Sequence, residues 1–199
     1  MRVLVACEMS GRVREAFTAR GHEAVSCDLL PDVHLSSQHV EGDIRDLLRK
    51  NVEWDLMIAF PPCTGLAVSG ARYFKKKQQD GRQKEALDFV RFLMNAPIPR
   101  IAIENPIGII SSHIRKPDQI IQPYQFGEDA SKRTCLWLKG LPLLVPTQFV
   151  AASHNGRWAN QTPSGQNKLG PSPDRALIRS LTYQGIAAAM AEQWGGLAE

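Results

Sequence analysis

The sequence predicts an α/β fold, a mostly parallel sheet flanked by helices. Three observations carry this. Short apolar runs at residues 3–7, 23–27, 55–60 and 100–103 have the length of buried strands, and turn residues follow them. Segments with helical apolar spacing alternate with these runs, as βαβ units require. The chain has 199 residues, 43% hydrophobic and 22% charged, which suits one ordinary domain whose core needs no staples. Residues 1–199 read as a single domain.

The first strand, residues 3–7, ends at Glu8. Ser10-Gly11 opens a helix over residues 12–20, where Val13, Ala16 and Phe17 share a face and Gly21 caps the end. A second strand ends at Asp28, residues 31–38 are loop, and a short strand over 40–44 contains Gly42-Asp43. Residues 45–50 form a helical turn. The strand at 55–60 is broken by Pro61-Pro62. Residues 64–83 are rich in Gly, Lys and Gln and read as a mobile loop. An amphipathic helix over 84–95 carries Leu87, Val90, Leu93 and Met94 on one face and stops before Pro97 and Pro99. The strand at 100–103 feeds Glu104-Asn105-Pro106. Residues 107–124 read as irregular with one helical turn, and 134–138 as a last strand, parallel or at the sheet edge. Residues 141–180 read as loop with little core, and 183–194 as an alanine-rich helix ended by Gly195-Gly196. Trp54, Trp137 and Trp194 belong in the core.

Composition excludes several classes. No apolar run approaches the ~20 residues that span a bilayer. The start reaches an acid at Glu8 without a small-residue cleavage site, so a cytoplasmic protein is expected. Lys and Arg number 24 against 20 Asp and Glu, and this net charge of +4 permits a polyanionic partner without demanding one. Its distribution says more: Arg72, Lys75, Lys76, Lys77, Arg82 and Lys84 bunch together, and Arg157, Lys168, Arg175 and Arg179 mark a second basic segment. Neither the cysteines nor His22, His34, His39 and His113 have metal-ligand spacing, so no metal is expected. Cys7, Cys27 and Cys135 read as small buried hydrophobes. Cys63, in the turn Pro61-Pro62-Cys63-Thr64-Gly65 after an apolar strand, is a candidate nucleophile.

In open α/β sheets the ligand site lies beyond the carboxyl ends of the strands. Glu8, Asp28, Asp43, Cys63 and Glu104-Asn105 occupy such ends and converge on one cleft. Asp28, 20 residues after Glu8, is placed to accept both hydroxyls of a ribose, and Asp43 to bond an adenine amino group. The first turn, Glu8-Met9-Ser10-Gly11, lacks the GxGxxG fingerprint of a pyrophosphate cradle. A nucleoside without phosphates, such as S-adenosylmethionine, fits an acid-lined turn better. Glu104 faces the same cleft, where a protonated carboxyl can donate to a heterocycle.

These residues bring a family into view. The sequence resembles the DNA (cytosine-5) methyltransferases, in a compact form of the phage or prophage type with a reduced target-recognition region. The segment from Asp55 through Phe60-Pro61-Pro62-Cys63 is similar to the family's nucleophile motif, and Ile101-Ala102-Ile103-Glu104-Asn105 to its Glu-Asn-Val motif, with Pro106 in place of valine. Gly42-Asp43-Ile44 resembles the segment at the cofactor adenine, and Asp28 the ribose-binding acid. Arg133 matches the last arginine of the Gln-x-Arg-x-Arg motif. Pro171-Ser172-Pro173-Asp174-Arg175 with Arg179 resembles the segment that supports target recognition, and Gly185 the start of the element that packs back beside the cofactor. The match covers residues 1–138 well and 171–194 loosely. Cys7 to Gly11 departs from the family's Phe-x-Gly-x-Gly, and Asp129 and Ser131 stand where Gln and the first Arg belong.

The resemblance implies a Rossmann-like S-adenosylmethionine-dependent methyltransferase fold, with residues 140–180 as a reduced recognition region. It implies Cys63 as nucleophile at cytosine C6, Glu104 on N3 and the exocyclic amine, and Arg133 on O2. Glu8, Ser10, Gly11, Asp28, Asp43, Ile44, Pro61 and Gly185 would hold S-adenosylmethionine. Asn105, Ser69, Arg72, Lys75, Lys76, Lys77, Arg157 and Arg175 would meet DNA, with the loop after Cys63 closing over a flipped base. His154, Asn155, Arg157, Trp158, Asn160 and Gln161 form a polar-aromatic cluster able to touch bases. Two alternatives stay open: a related enzyme using a modified donor, single-stranded DNA or a free nucleotide, and a non-catalytic nucleic-acid-binding protein of the same fold.

Overall fold

The fold rests on seven strands whose alternate residues face opposite layers. A computed structural model describes the chain except Asn51, His154, Pro173, Ala198 and Glu199, and except the side chains of Gly70, Arg72 and Ala176. Strands β1 (Arg2–Ala6), β2 (Glu23–Asp28), β3 (His39–Glu41), β4 (Leu56–Ala59), β5 (Arg100–Pro106), β6 (Gln119–Ile121) and β7 (Thr134–Lys139) form one sheet in the order β3-β2-β1-β4-β5-β7-β6. The first five run parallel. Strand β7 lies antiparallel between β5 and β6.

Period-2 alternation builds two cores. Leu4, Ala6, Met57, Ala59, Ile101 and Ile103 face α2 (Ile44–Arg49) and α4 (Arg82–Met94), which contribute Leu47, Leu87, Val90 and Leu93. Val3, Val5, Leu56, Ile58 and Ala102 face α1 (Arg12–Thr18) and α7 (Gln184–Gly195), which contribute Val13, Phe17, Met190 and Trp194. Trp54, Trp137 and Trp194 are all buried.

Several sequence expectations need correction. Residues 64–83, expected as a loop, instead form short helical elements. A 3₁₀ turn at Cys63–Gly65, a second at Val68–Tyr73 and helix α3 (Phe74–Gln79) lead directly into α4. Residues 107–124 contain α5 (Ile110–His113) and the edge strand β6, whose three residues are too few to register as a pattern. The strand at 134 is neither parallel nor at the edge. The proline-rich stretch after 140 carries buried Leu144, which Gln119 holds through a pair of side-chain hydrogen bonds, and a short helix α6 (Arg175–Ser180).

Chain order places the site. From β1 the chain winds outward to β2 and β3, then returns to β4 on the other side of β1. The reversal opens a crevice at the carboxyl ends of β1 and β4.

Candidate active site

A cleft of about 510 Å³ occupies that crevice. Its walls are Cys7, Cys27, Asp28, Leu29, Gly42, Asp43, Ile44, Arg45, Pro62, Glu85 and Phe89. This size suits a small ligand. Of the residues expected at a nucleoside, Asp28, Asp43 and Ile44 line it. Asp28 accepts the Leu30 N–H at 2.9 Å through one oxygen. Asp43 caps α2 by accepting the Arg45 N–H at 2.8 Å, and Arg45 Nη2 donates to it at 2.6 Å. The Arg45 side chain thereby holds the Asp43 carboxyl below its usual range. Three carboxylates line the cleft, and its one cation is paired with Asp43, so a polyphosphate is a poor fit and a cationic ligand a good one.

Sequence reasoning missed Leu29, Pro62, Glu85 and Phe89. The signal for the last two was their i, i+4 spacing on α4, off the stripe of Leu87, Val90 and Leu93. Cys7 adopts φ 59°, the left-handed region, and burial followed by the Asp28 charge pushes its thiol up to about 12. Burial then Asp28 likewise push Cys27 up to about 11. Both are inert liners.

The first turn serves α1. Gly11, at φ 70°, leaves the helix start without a capping side chain. The buried Glu8 supplies one from a distance: its oxygens accept the Val13 N–H at 2.7 Å, the Arg14 N–H at 3.3 Å and the Ser10 hydroxyl at 3.2 Å. Expected at the cofactor, Glu8, Ser10 and Gly11 are not among the residues that line the cleft. Gly185 packs closely on Phe126, whose carbonyl a Cβ there would overlap, and it too stands apart from the lining. Pro61 is buried behind Pro62.

Cys63 follows Pro62 at the rim, exposed to solvent. Glu104 lies on the neighbouring strand, one residue past the Ala59–Ile103 pair. Burial raises the Cys63 thiol and the nearby Glu104 raises it further, while Lys132 and Arg179 oppose that rise. Burial raises the Glu104 carboxyl as well, against Lys132 and the Thr134 hydroxyl. Cys63 therefore feels Glu104, Lys132 and Arg179, and Glu104 feels Lys132.

Asn105, expected to meet DNA, acts as a strut in this structure. It is 1% exposed and its Nδ2 donates to the Pro61 carbonyl at 2.8 Å, which fixes the loop that presents Cys63. The far side of that loop is tied at Gly108. Val68 N–H donates to Ile107 O at 3.0 Å and Ile109 N–H to Leu66 O at 2.9 Å. A Cβ on Gly108 would run into the Leu66 carbonyl. Gly108→Ala should therefore cost about 1–3 kcal/mol of stability by overpacking. Thermal melts and turnover check it, with turnover at a permissive temperature expected to fall as the Cys63 loop shifts.

Lys77, expected to meet phosphates, is buried and donates its ammonium to the Thr64 carbonyl. Ser69, Lys75 and Lys76 are exposed. Arg157 and Arg175 are half-buried. The side chain of Arg72 and all of His154 and Pro173 lie outside the described residues. In the polar-aromatic cluster Asn155 is exposed, whereas Trp158, Asn160 and Gln161 make internal contacts. Trp158 stacks on Tyr124 with ring centres 4.4 Å apart, Gln161 accepts the Trp158 N–H at 3.2 Å, and Asn160 bonds both the N–H and the carbonyl of Ser131. Arg133 is exposed, whereas Lys132 is half-buried, donates its ammonium to the Arg179 carbonyl at 3.2 Å and lowers the Glu104 and Cys63 values by its charge.

No protein-family model matches the chain, and no curated protein matches it. Among solved structures, one similar protein is described as a DNA modification methyltransferase encoded within an E. coli prophage. It is 16% identical over 75% of this chain and 52% of its own, with a TM-score of 0.52. Another is the 16S rRNA methylase RmtB, 14% identical over 69% of this chain and 55% of its own, with a TM-score of 0.40. The chain thus spans about half the length of the proteins it matches. The likeness is one of fold: this is a Rossmann-like methyltransferase fold. No helix of the described residues is long and apolar enough to cross a membrane, and among them no group of His, Cys, Asp and Glu is arranged to hold a metal.

Proposed function

We propose that the protein transfers a methyl group from S-adenosylmethionine to C5 of cytosine in DNA through a covalent Cys63 adduct. One observation carries this reading. Pro62 lines the acid-lined cleft, and the next residue, Cys63, is near enough to Glu104 for that carboxyl to raise its thiol. A nucleoside site and a nucleophile–carboxyl pair are therefore contiguous.

The residues present suit S-adenosylmethionine. Asp28 keeps one carboxylate oxygen for ribose hydroxyls, Leu29, Ile44 and Phe89 offer apolar faces to a planar base, and the acidic lining favours a sulfonium. When bound, that donor supplies an electrophilic methyl group to C5 and is left as a neutral thioether.

The chain's own residues do the rest. The Cys63 thiolate adds to C6, forming the C6–S bond and moving the electron pair of the C5–C6 double bond toward C5 and N3. Glu104, whose carboxyl burial raises, donates to N3 in its protonated form and holds the ring as charge develops there. After C5 is methylated, loss of its proton to water returns an electron pair to the ring. The C5–C6 double bond reforms and Cys63 leaves as thiolate. A base must leave a duplex to reach Cys63.

Incubation with methyl-labelled S-adenosylmethionine and duplex, single-stranded or mononucleotide substrates tests the reading. Label should appear as 5-methylcytosine in DNA; label confined to mononucleotides would overturn DNA as the substrate. The pH dependence has a defined sign. Thiolate grows as pH rises through the raised Cys63 value, and protonated Glu104 is lost as pH rises through its own raised value, so the rate follows a bell. Glu104→Gln removes a negative neighbour. The thiol should then ionise at lower pH while turnover falls on the order of 10²-fold or more. Rates measured against pH in both proteins check this.

A further inference from the structure

His39 lies outside the cleft lining yet holds the cleft's lip through a chain of hydrogen bonds. It begins β3, where it pairs in register with the buried Ser26 of β2. Its Nδ1 lies 2.9 Å from Ser26 Oγ and its Nε2 3.0 Å from the Leu30 carbonyl oxygen. A carbonyl only accepts, so the ring carries a hydrogen on Nε2 and donates it to Leu30. Ser26 Oγ takes a hydrogen from Arg14 Nη1 at 2.7 Å, which leaves the serine hydroxyl to donate to Nδ1. The Leu30 residue is thus gripped at both ends. Its N–H donates to Asp28 Oδ1 at 2.9 Å, and its carbonyl accepts from His39. The Asp28 carbonyl in turn accepts the Gly42 N–H at 2.8 Å. Asp28 and Leu29 line the cleft. Leu29 and Leu30 are 72% and 54% exposed, so hydrogen bonds rather than packing fix this turn.

We propose that His39 is a positioning residue for the methyl donor. Through Leu30 it fixes the Asp28 carboxylate, so that one oxygen stays on the Leu30 N–H and the other is presented to the ribose hydroxyls of S-adenosylmethionine. The proposal rests on the S-adenosylmethionine reading above and deepens it. A carboxylate free to swing between the turn and solvent must be ordered each time a ligand binds, and that ordering weakens binding. With the Leu30 carbonyl held, the ordering is complete before the ligand arrives. Cys63 and Glu104 belong to the β4 and β5 side of the sheet, separated from β3 by β2 and β1. His39 therefore acts on donor affinity and not on the covalent step.

The test uses the full chain with S-adenosylmethionine as the probe. His39→Phe keeps a ring and removes both nitrogens. It should weaken calorimetric binding of the donor by roughly three- to tenfold and raise the donor KM to match, while kcat stays within about twofold. His39→Gln, which returns an N–H donor, should recover most of the affinity, and it keeps the test decisive should the phenylalanine variant unfold. In an Asp28→Ala background, His39→Phe should weaken binding by less than about twofold, because the group it positions is gone. A merely structural histidine would give additive losses. With no donor present, exchange of the Leu30 amide, followed by NMR, should quicken about threefold or more in His39→Phe. The Arg45 amide, capped by Asp43, should keep its rate. Additive losses, donor affinity within about twofold of the parent, or an unchanged Leu30 amide overturns the role of His39. A parent chain that binds no S-adenosylmethionine overturns the donor reading, and this role with it; the other results leave donor binding by the parent intact, so the two failures are distinct.

Discussion

Replacing Cys63 with alanine should abolish methyl transfer, a loss on the order of 10⁴-fold or more, while the fold and donor binding stay intact. The size follows from chemistry. Cytosine C5 gains nucleophilic character only after sulfur adds to C6, and Cys63 follows the cleft residue Pro62 within electrostatic reach of Glu104. The intact fold follows from position. Cys63 is exposed and lies in a 3₁₀ turn, outside both hydrophobic cores. Calorimetric titration with S-adenosylmethionine and a thermal melt should match the parent closely, which separates a lost nucleophile from a damaged site.

Arg14→Leu should give the largest loss of stability. The Arg14 side chain is 1% exposed, and its Nη1 donates to Asp32 at 2.5 Å and to Ser26 Oγ at 2.7 Å. Asp32 in turn accepts the His34 N–H at 2.6 Å and the Ser36 N–H at 3.3 Å, so the pair organises the loop after Asp28. Removing the cation leaves a buried carboxylate uncompensated, which costs about 3–5 kcal/mol. For a chain of this size Tm should fall by roughly 6–20 °C. Burial alone would raise the Asp32 carboxyl, but Arg14 and the two amides hold it below its usual range. A lowered folded-state value means that the contribution is complete above the unfolded carboxyl value of about 3.9 and fades as pH drops through the lower one. The parent should therefore lose stability below about pH 4, and Arg14→Leu should flatten that dependence. Thermal melts across pH read both effects.

The parallel half of the sheet was legible because its strands are buried on both faces and bounded by Glu8, Asp28 and Pro61-Pro62. Strand β6 was not, because three residues leave no period to count. The helical segment after Cys63 was hidden for a different reason. Its helices are fastened by Lys77 on Thr64 and by the pairing around Gly108, long-range contacts that Gly- and Lys-rich composition does not announce. At the site, Asp28, Asp43, Cys63 and Glu104 were readable as strand-end polar residues. The roles of Glu8 and Asn105 were not, since a helix cap and a loop strut depend on which amide or carbonyl comes within reach.

Trapping with DNA that contains 5-fluorocytosine tests the central claim most directly. Fluorine at C5 cannot leave as a proton does, so the adduct formed after methylation persists. With S-adenosylmethionine present, the wild-type protein should become attached to the DNA in a denaturant-resistant complex whose linkage maps to Cys63, and Cys63→Ala should form none. Absence of an adduct across varied duplex and single-stranded sequences, or an adduct that survives Cys63→Ala, would contradict the account.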